Sequence, residues 1–239
     1  MPTTREVQLL TRDHIIAGLA MLDDAIGASE LLMSVAPIRF ITVGGMLAIS
    51  VLGNRESTKD VDFLLDPNVE AVPEYRVEVL RAIDLVASRA GLDADWMNDD
   101  VRIFIRSSRR LRLFLESVHQ DVLVYAGRNL TIYAGCMEFA LERKLRRLGE
   151  STGRERAPDL SDAVALVHWL KGAGRPLDWQ SLKGLDVNNL DMPVSEAALG
   201  LVARTYESQH RVQGIVGMAR GGNDHHCGRL NTQSDWVHV

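Results

Sequence analysis

Two glycines and two aspartates lie close together in this chain, in the run Phe40-Ile-Thr-Val-Gly44-Gly45-Met-Leu-Ala-Ile-Ser-Val-Leu-Gly-Asn-Arg55-Glu-Ser-Thr58-Lys-Asp60-Val-Asp62-Phe-Leu-Leu65. Glycine lacks a Cβ, so main chain at Gly44 and Gly45 can approach a ligand closely. Free N–H groups where a helix opens favour an anion such as phosphate. Asp60 and Asp62 flank Val61, and residues two apart on a strand project from one face. Two carboxylates on one face raise each other's pKa unless a cation or hydrogen bonds offset the repulsion, and a divalent metal is the simplest such cation. Magnesium prefers oxygen ligands and usually completes its shell with water and substrate phosphates. By itself a Gly-Gly is usually a tight turn, and an Asp-x-Asp is usually a solvated strand end. The specific signal is their order, with Arg55-x-x-Thr58 between them.

The elements that must position these residues are readable from periodicity. Residues 39–43 form a short β-rich run, Met46 to Leu52 suits a buried helix, and Asp60 to Leu65 continues as a second strand. The spacing predicts a helix from Leu10 onward with Thr11 as N-cap, and another from Tyr75 to Ala90 that Gly91 ends. Val101–Ile105, Asp121–Tyr125 and Leu130–Tyr133 read as strands, the last two as a hairpin. Beyond Ala134 the pattern is helical over Met137–Leu148, Asp159–Lys171 and Ser195 to about Gln213, with a polar linker from Ser151 to Pro158. This predicts an α/β (α+β) core over 1–133. A small helical subdomain over 134–220 and a flexible tail over 221–239 complete the expected organisation.

Composition narrows the function classes. The chain has 239 residues, 46% hydrophobic and 25% charged, enough for one large domain or two small ones. A net charge of −5 argues against an extended nucleic-acid surface held by a general positive field. Cys136 and Cys227 make no disulfide framework, and the polar start Met1-Pro-Thr-Thr-Arg-Glu does not read as a signal peptide. The apolar run from Phe40 to Gly53 is too short to cross a bilayer. The expectation is an intracellular, cytoplasmic protein without a membrane segment.

The pattern strand, Gly44-Gly45, helix, then Arg55-x-x-Thr58-x-Asp60-Val61-Asp62 on a second strand resembles the nucleotidyltransferase superfamily with its polymerase-β-like fold. It is most similar to the small stand-alone type, and the resemblance implies a mixed sheet flanked by helices. The resemblance implies that Gly44 and Gly45 hold nucleotide phosphates and that Asp60 and Asp62 bind two metal ions, Mg2+ or Mn2+. Many members have Gly-Ser where this chain has Gly44-Gly45; Ser57 and Thr58 are hydroxyls that can stand in. Two metals and an activated hydroxyl require a further ligand, and the resemblance implies an acid on a neighbouring strand. Asp121 is the first candidate, as metal ligand and catalytic base, if its strand pairs beside Asp60 and Asp62; otherwise it is a strand-start residue. Asp95, Asp99 and Asp100 are the reserves. Lys144, in Lys144-Leu145-Arg146-Arg147, resembles the lysine that reaches the nucleotide phosphates in such relatives, although a solvated basic helix face explains the same run. Asp159-x-x-Asp162 resembles a paired-acid motif that fixes that lysine or the helix packing, and capping explains it equally well.

The resulting expectation is metal-dependent transfer of a nucleoside monophosphate from a nucleoside triphosphate, such as ATP, to a hydroxyl of a small-molecule, protein or RNA acceptor. Arg55, Thr58 and Lys144 would offset charge developing in the transition state. The alternative is a catalytically weak nucleotide-binding protein, or a toxin–antitoxin-type interaction protein with a protein partner. Asp224-His225-His226-Cys227 lacks a second ligand cluster and is not read as a zinc site. His14 and His168 sit in apolar helical patterns and read as packed or half-exposed, while Tyr125, Tyr133 and Trp96 read as lining a pocket near the sheet edge or, more commonly for aromatics there, as core.

Overall fold

The computed structural model describes residues 8–150 and 156–217. Part of the polar linker and the tail that begins at Gly221 lie outside these residues.

β1 (Leu10–Thr11) leads into α1 (Arg12–Gly27), whose start is fixed by a capping box in which the His14 N–H donates to Thr11 Oγ1 and the Thr11 N–H donates to His14 Nδ1. Ser29 caps the short α2 (Glu30–Met33), and β2 (Ile38–Val43) follows. After Gly44 come α3 (Gly45–Leu47) and a π-helical turn over Ala48–Leu52 that Gly53 ends with φ 65°. The chain continues as β3 (Ser57–Thr58), which pairs with β1, then β4 (Val61–Leu65), α4 (Pro67–Glu70) and α5 (Pro73–Ala90). β5 (Met97–Asn98), a 3-10 turn over Asp100–Phe104, α6 (Ser107–Gln120), β6 (Leu123–Ala126) and β7 (Leu130–Ala134) complete the sheet region. The rest is α7 (Met137–Glu150), α8 (Arg156–Lys171), β8 (Leu177–Asp178), α9 (Trp179–Lys183), α10 (Glu196–His210) and β9 (Ile215–Val216).

The main sheet is mixed, in the order β5-β4-β2-β7-β6. β4 runs antiparallel to β2 with Val43 opposite Asp62, whereas β7 runs parallel to β2 and β5 parallel to β4. Strand alternation sends Phe40 and Phe63 to one face, where their rings lie 4.8 Å apart within a core shared with Leu19, Val86 and Ile132. Ile41, Val43 and Leu64 point to the other face and meet Phe114 of α6 and Phe139 of α7. A separate core gathers Leu47 with Ala134, Leu141, Val167, Leu199 and Tyr206. The architecture is α+β, with helices on both faces of a mixed sheet and a helical cluster after β7.

Three local expectations are corrected. Residues Val101–Ile105 do not form a strand: Val101 and Ile105 are buried, but Ile103 and Phe104 are 77% and 57% exposed. That is a four-residue repeat, and Arg110 donates to the carbonyls of Arg102 and Ile105, leaving them unavailable to a strand neighbour. Helix α6 was not anticipated, because Arg106, Arg109, Arg110 and Arg112 crowd a segment in which Leu113, Phe114 and Ser117 are the buried residues. Asp121 is a helix end rather than a strand start, left-handed at φ 54° as the C-cap of α6.

Candidate active site

The candidate site forms where β2 ends and β4 begins. Gly44 adopts φ 70° and ψ −137°, and a Cβ built on it would stand 2.5 Å from Asp62 Oδ2. A Cβ on Gly45 would stand 1.9 Å from Thr58 Oγ1. The two glycines are therefore required by the packing of Asp62 and Thr58 against this turn, before any ligand arrives. Thr42 holds the same junction from β2 by donating its hydroxyl to the Asp62 carbonyl at 2.8 Å.

Asp62 lies in β4 and Asp60 just before it, as the alternation predicts. Burial pushes both carboxyls above the ordinary aspartate range. The charge of Asp60 raises Asp62 further, while Arg143, Lys144 and Arg147 act in the opposite direction. Asp60 receives a long hydrogen bond of 3.5 Å from Asn98 Nδ2, and Asp95 and Asp100 add repulsion. Neither aspartate side chain has an ion-pair partner among the described residues.

The residue on the strand beside β4 is an amide, not an acid. Asn98 of β5 pairs with Asp62, and its side chain also accepts from the Asp100 N–H at 3.1 Å. Asp121 is not brought to the site, because β2 and β7 stand between β4 and β6 and the pairing on which its assignment depended does not occur. Of the reserve acids, Asp99 is tied to Arg76 at 2.7 Å. Among the described residues no group of three or more His, Cys, Asp or Glu side chains is placed to share one metal ion. Two half-buried, unpaired carboxylates nevertheless fit magnesium in the arrangement where ligand phosphates and water supply the rest of the shell.

The opposite wall comes from α7 and α8. Lys144 Nζ lies 2.9 Å from Asp159 Oδ1 and 2.7 Å from Asp162 Oδ2, all three residues being buried. Asp162 also receives Arg55 Nε at 2.8 Å and Arg55 Nη2 at 2.6 Å, a two-pronged pair, together with Asn54 Nδ2 at 2.9 Å. Arg147 Nε completes the cluster at 2.9 Å from Asp159 Oδ2. The loop after the π-helical turn is thereby locked to the helical part of the chain.

A cleft of about 1180 Å³ opens between these walls. Gly44, Gly45, Arg55, Thr58, Asp60, Asp62 and Lys144 all line it, so every anticipated site residue except Asp121 is gathered there. Sequence reasoning missed Arg143, whose guanidinium lies 5.0 Å above the Phe104 ring and 5.9 Å from that of Phe139. The one available signal was the spacing of Phe139 and Arg143, which puts both on the same face of α7. His14 caps α1, the Trp96 indole donates to the Ile83 carbonyl within the core, and His168 contacts the Tyr206 hydroxyl at 3.1 Å. None of these lines the cleft. The Asp224–Cys227 run lies outside the described residues. No helix among the described residues is long and apolar enough to cross a membrane.

No family model, curated protein or solved structure matches the chain.

Proposed function

We propose that this protein is a metal-dependent nucleotidyltransferase with a nucleotidyltransferase-type fold, moving a nucleoside monophosphate from a nucleoside triphosphate to an acceptor hydroxyl. The observation that carries the reading is the cleft itself: two unpaired carboxylates, Asp60 and Asp62, face a cationic helix across a space with room for a triphosphate and an acceptor. Asp60 and Asp62 would hold Mg2+ or Mn2+, and a divalent ion there supplies charge neutralisation for a phosphoryl group and a lowered pKa for the acceptor hydroxyl. The acceptor oxygen forms a bond to the α-phosphorus as the bond to the pyrophosphate oxygen breaks. The acceptor's proton passes to a carboxylate of the same lip. Thr58 fixes the glycine turn, while Lys144 and Arg55 set the geometry of the opposite wall.

One observation favours a second reading, a nucleotide-binding or protein-interaction role with weak turnover: Asn98 occupies the strand position where a third carboxylate would serve the metals. The separating experiment is to screen the four nucleoside triphosphates for magnesium-dependent thermal stabilisation, then to assay pyrophosphate release with candidate hydroxyl acceptors. Stabilisation with release is the expected result. Stabilisation without release from any triphosphate and acceptor would leave the binding role, and neither response would overturn both.

A further inference from the structure

The cations lining the cleft are not equivalent. Arg55 and Lys144 are consumed by Asp162 and Asp159, Arg147 is paired with Asp159, and Arg146 is paired with Glu142 at 2.7 Å. Lys59 and Arg106 are exposed and hydrated. Arg143 differs from all of them: its side chain forms no hydrogen bond or ion pair among the described residues, although its Nη1 is buried. A guanidinium carries five N–H donors, and a buried donor left unmatched forfeits the hydrogen bonds it would make in water. The protein accepts that cost while fixing the group in place between the rings of Phe104 and Phe139. Phe104 is itself held: Asn188 donates to its carbonyl and accepts from the Arg106 N–H at 3.0 Å.

We infer that Arg143 is the cleft's anion-binding side chain and that it receives the polyphosphate of the nucleotide, which spans from the Asp60/Asp62 lip to the Arg143 guanidinium. This rests on the nucleotidyltransferase reading for the identity of the ligand, but not for the anion site. The charge argument is direct. Asp62 and Arg143 attract each other but form no ion pair among the described residues, so each charge is only partly compensated by the other. Once the carboxylates hold a divalent cation their charge is neutralised and Arg143 loses the attraction of Asp62, so an anion that reaches both the metal and the guanidinium restores the compensation. A chain of phosphates supplies oxygens to both ends, and the planar fork of arginine suits phosphate better than the ammonium of lysine does. The assignment of phosphate contact thereby moves from Lys144, which is held by two buried aspartates, to its neighbour in sequence.

Calorimetry with magnesium and inorganic tripolyphosphate tests the anion site without a nucleoside, and the same titration with magnesium ATP, CTP, GTP and UTP tests the nucleotide reading. Arg143→Gln is expected to weaken tripolyphosphate and the preferred nucleotide alike by about ten- to a hundredfold, the range for a charged hydrogen bond. Arg143→Lys should fall between that variant and wild type. Circular dichroism verifies folding, and if Arg143→Gln does not fold, Arg143→Lys and Phe104→Leu carry the comparison. Tripolyphosphate binding that depends on Arg143, with no nucleotide bound, would support the anion site and sink the nucleotide reading. Nucleotide bound equally tightly by wild type and by the folded Arg143 variants would overturn the inference while leaving that reading intact. A wild type that binds neither ligand would overturn both.

Discussion

The two walls of the cleft treat charge in opposite ways. On the α7–α8 wall the two buried aspartates are paired within the chain: Asp162 takes two contacts from Arg55, one from Asn54 and one from Lys144, and Asp159 bridges Lys144 and Arg147. Across the cleft Asp60 and Asp62 have no ion-pair partner among the described residues, and burial holds both carboxyls above their ordinary range. Buried charge with its partners in place is structure, and its value lies in positioning. Half-buried charge without an ion-pair partner is a standing cost, and it marks a place where something from outside the chain can remove it. The same chemical change, aspartate to asparagine, should therefore have opposite consequences on the two walls.

The largest effect is expected at Asp162. Removing its charge leaves the half-buried Arg55 without its carboxylate and the buried Lys144 with Asp159 alone, and breaking a buried pair from one side costs about 3–5 kcal/mol. Asp162→Asn should lower the melting temperature by about 10 °C or more. It should also loosen the loop containing Asn54 and Arg55, which hydrogen exchange would register. A shift of less than about 2 °C would show that the network contributes little and would remove the contrast between the walls.

Gly45 comes next. A side chain there collides first with Thr58 Oγ1, so Gly45→Val is expected to destabilise by about 1–3 kcal/mol, as overpacking does, and to disturb the β1–β3 pair that carries Thr58. The double variant Gly45→Val/Thr58→Ala should recover part of that loss, because it removes the atoms that clash. If the single variant melts at the wild-type temperature and loses only nucleotide affinity, the glycine serves the ligand rather than the packing.

What the sequence disclosed and what it hid divide along the same line as local and non-local structure. Gly44, Gly45, Asp60 and Asp62 sit within one short run, and strand alternation and turn chemistry apply there directly. The helices α1, α5, α7, α8 and α10 were visible because each carries a 3.6-residue apolar pattern or a cap, such as Thr11 and Ser195. Asp121 was misplaced because its role depended on strand order, and no local pattern says that β2 and β7 separate β6 from β4. Residue 98 was overlooked for the complementary reason: β5 has only two residues, too few to show a period, yet it sets Asn98 beside Asp62. Arg143 could not be told from Arg146 or Arg147 by type. What distinguishes it is the ring of Phe104, which a 3-10 turn and Asn188 bring over it from elsewhere in the chain.

The smallest effect on stability, and the sharpest on the comparison, is expected at Asp62. A carboxyl whose folded pKa is raised binds its proton more tightly in the folded state than in the unfolded one. Stability is therefore greatest below the unfolded value, near 3.9, and declines as pH rises through the window up to the raised folded value. Asp62→Asn removes that decline. The variant should match wild type near pH 4 and melt slightly higher at pH 7, by about 2 °C or less. Magnesium should narrow the difference by stabilising only the wild type, through binding to the folded state. The same variant should lose metal-dependent nucleotide binding. Thermal melts at pH 4 and pH 7, with and without magnesium, check every part of this. If Asp62→Asn is less stable than wild type at pH 7 without metal, Asp62 is held by favourable contacts within the chain, and the two walls of the cleft do not differ in the way the unpaired carboxylates indicate.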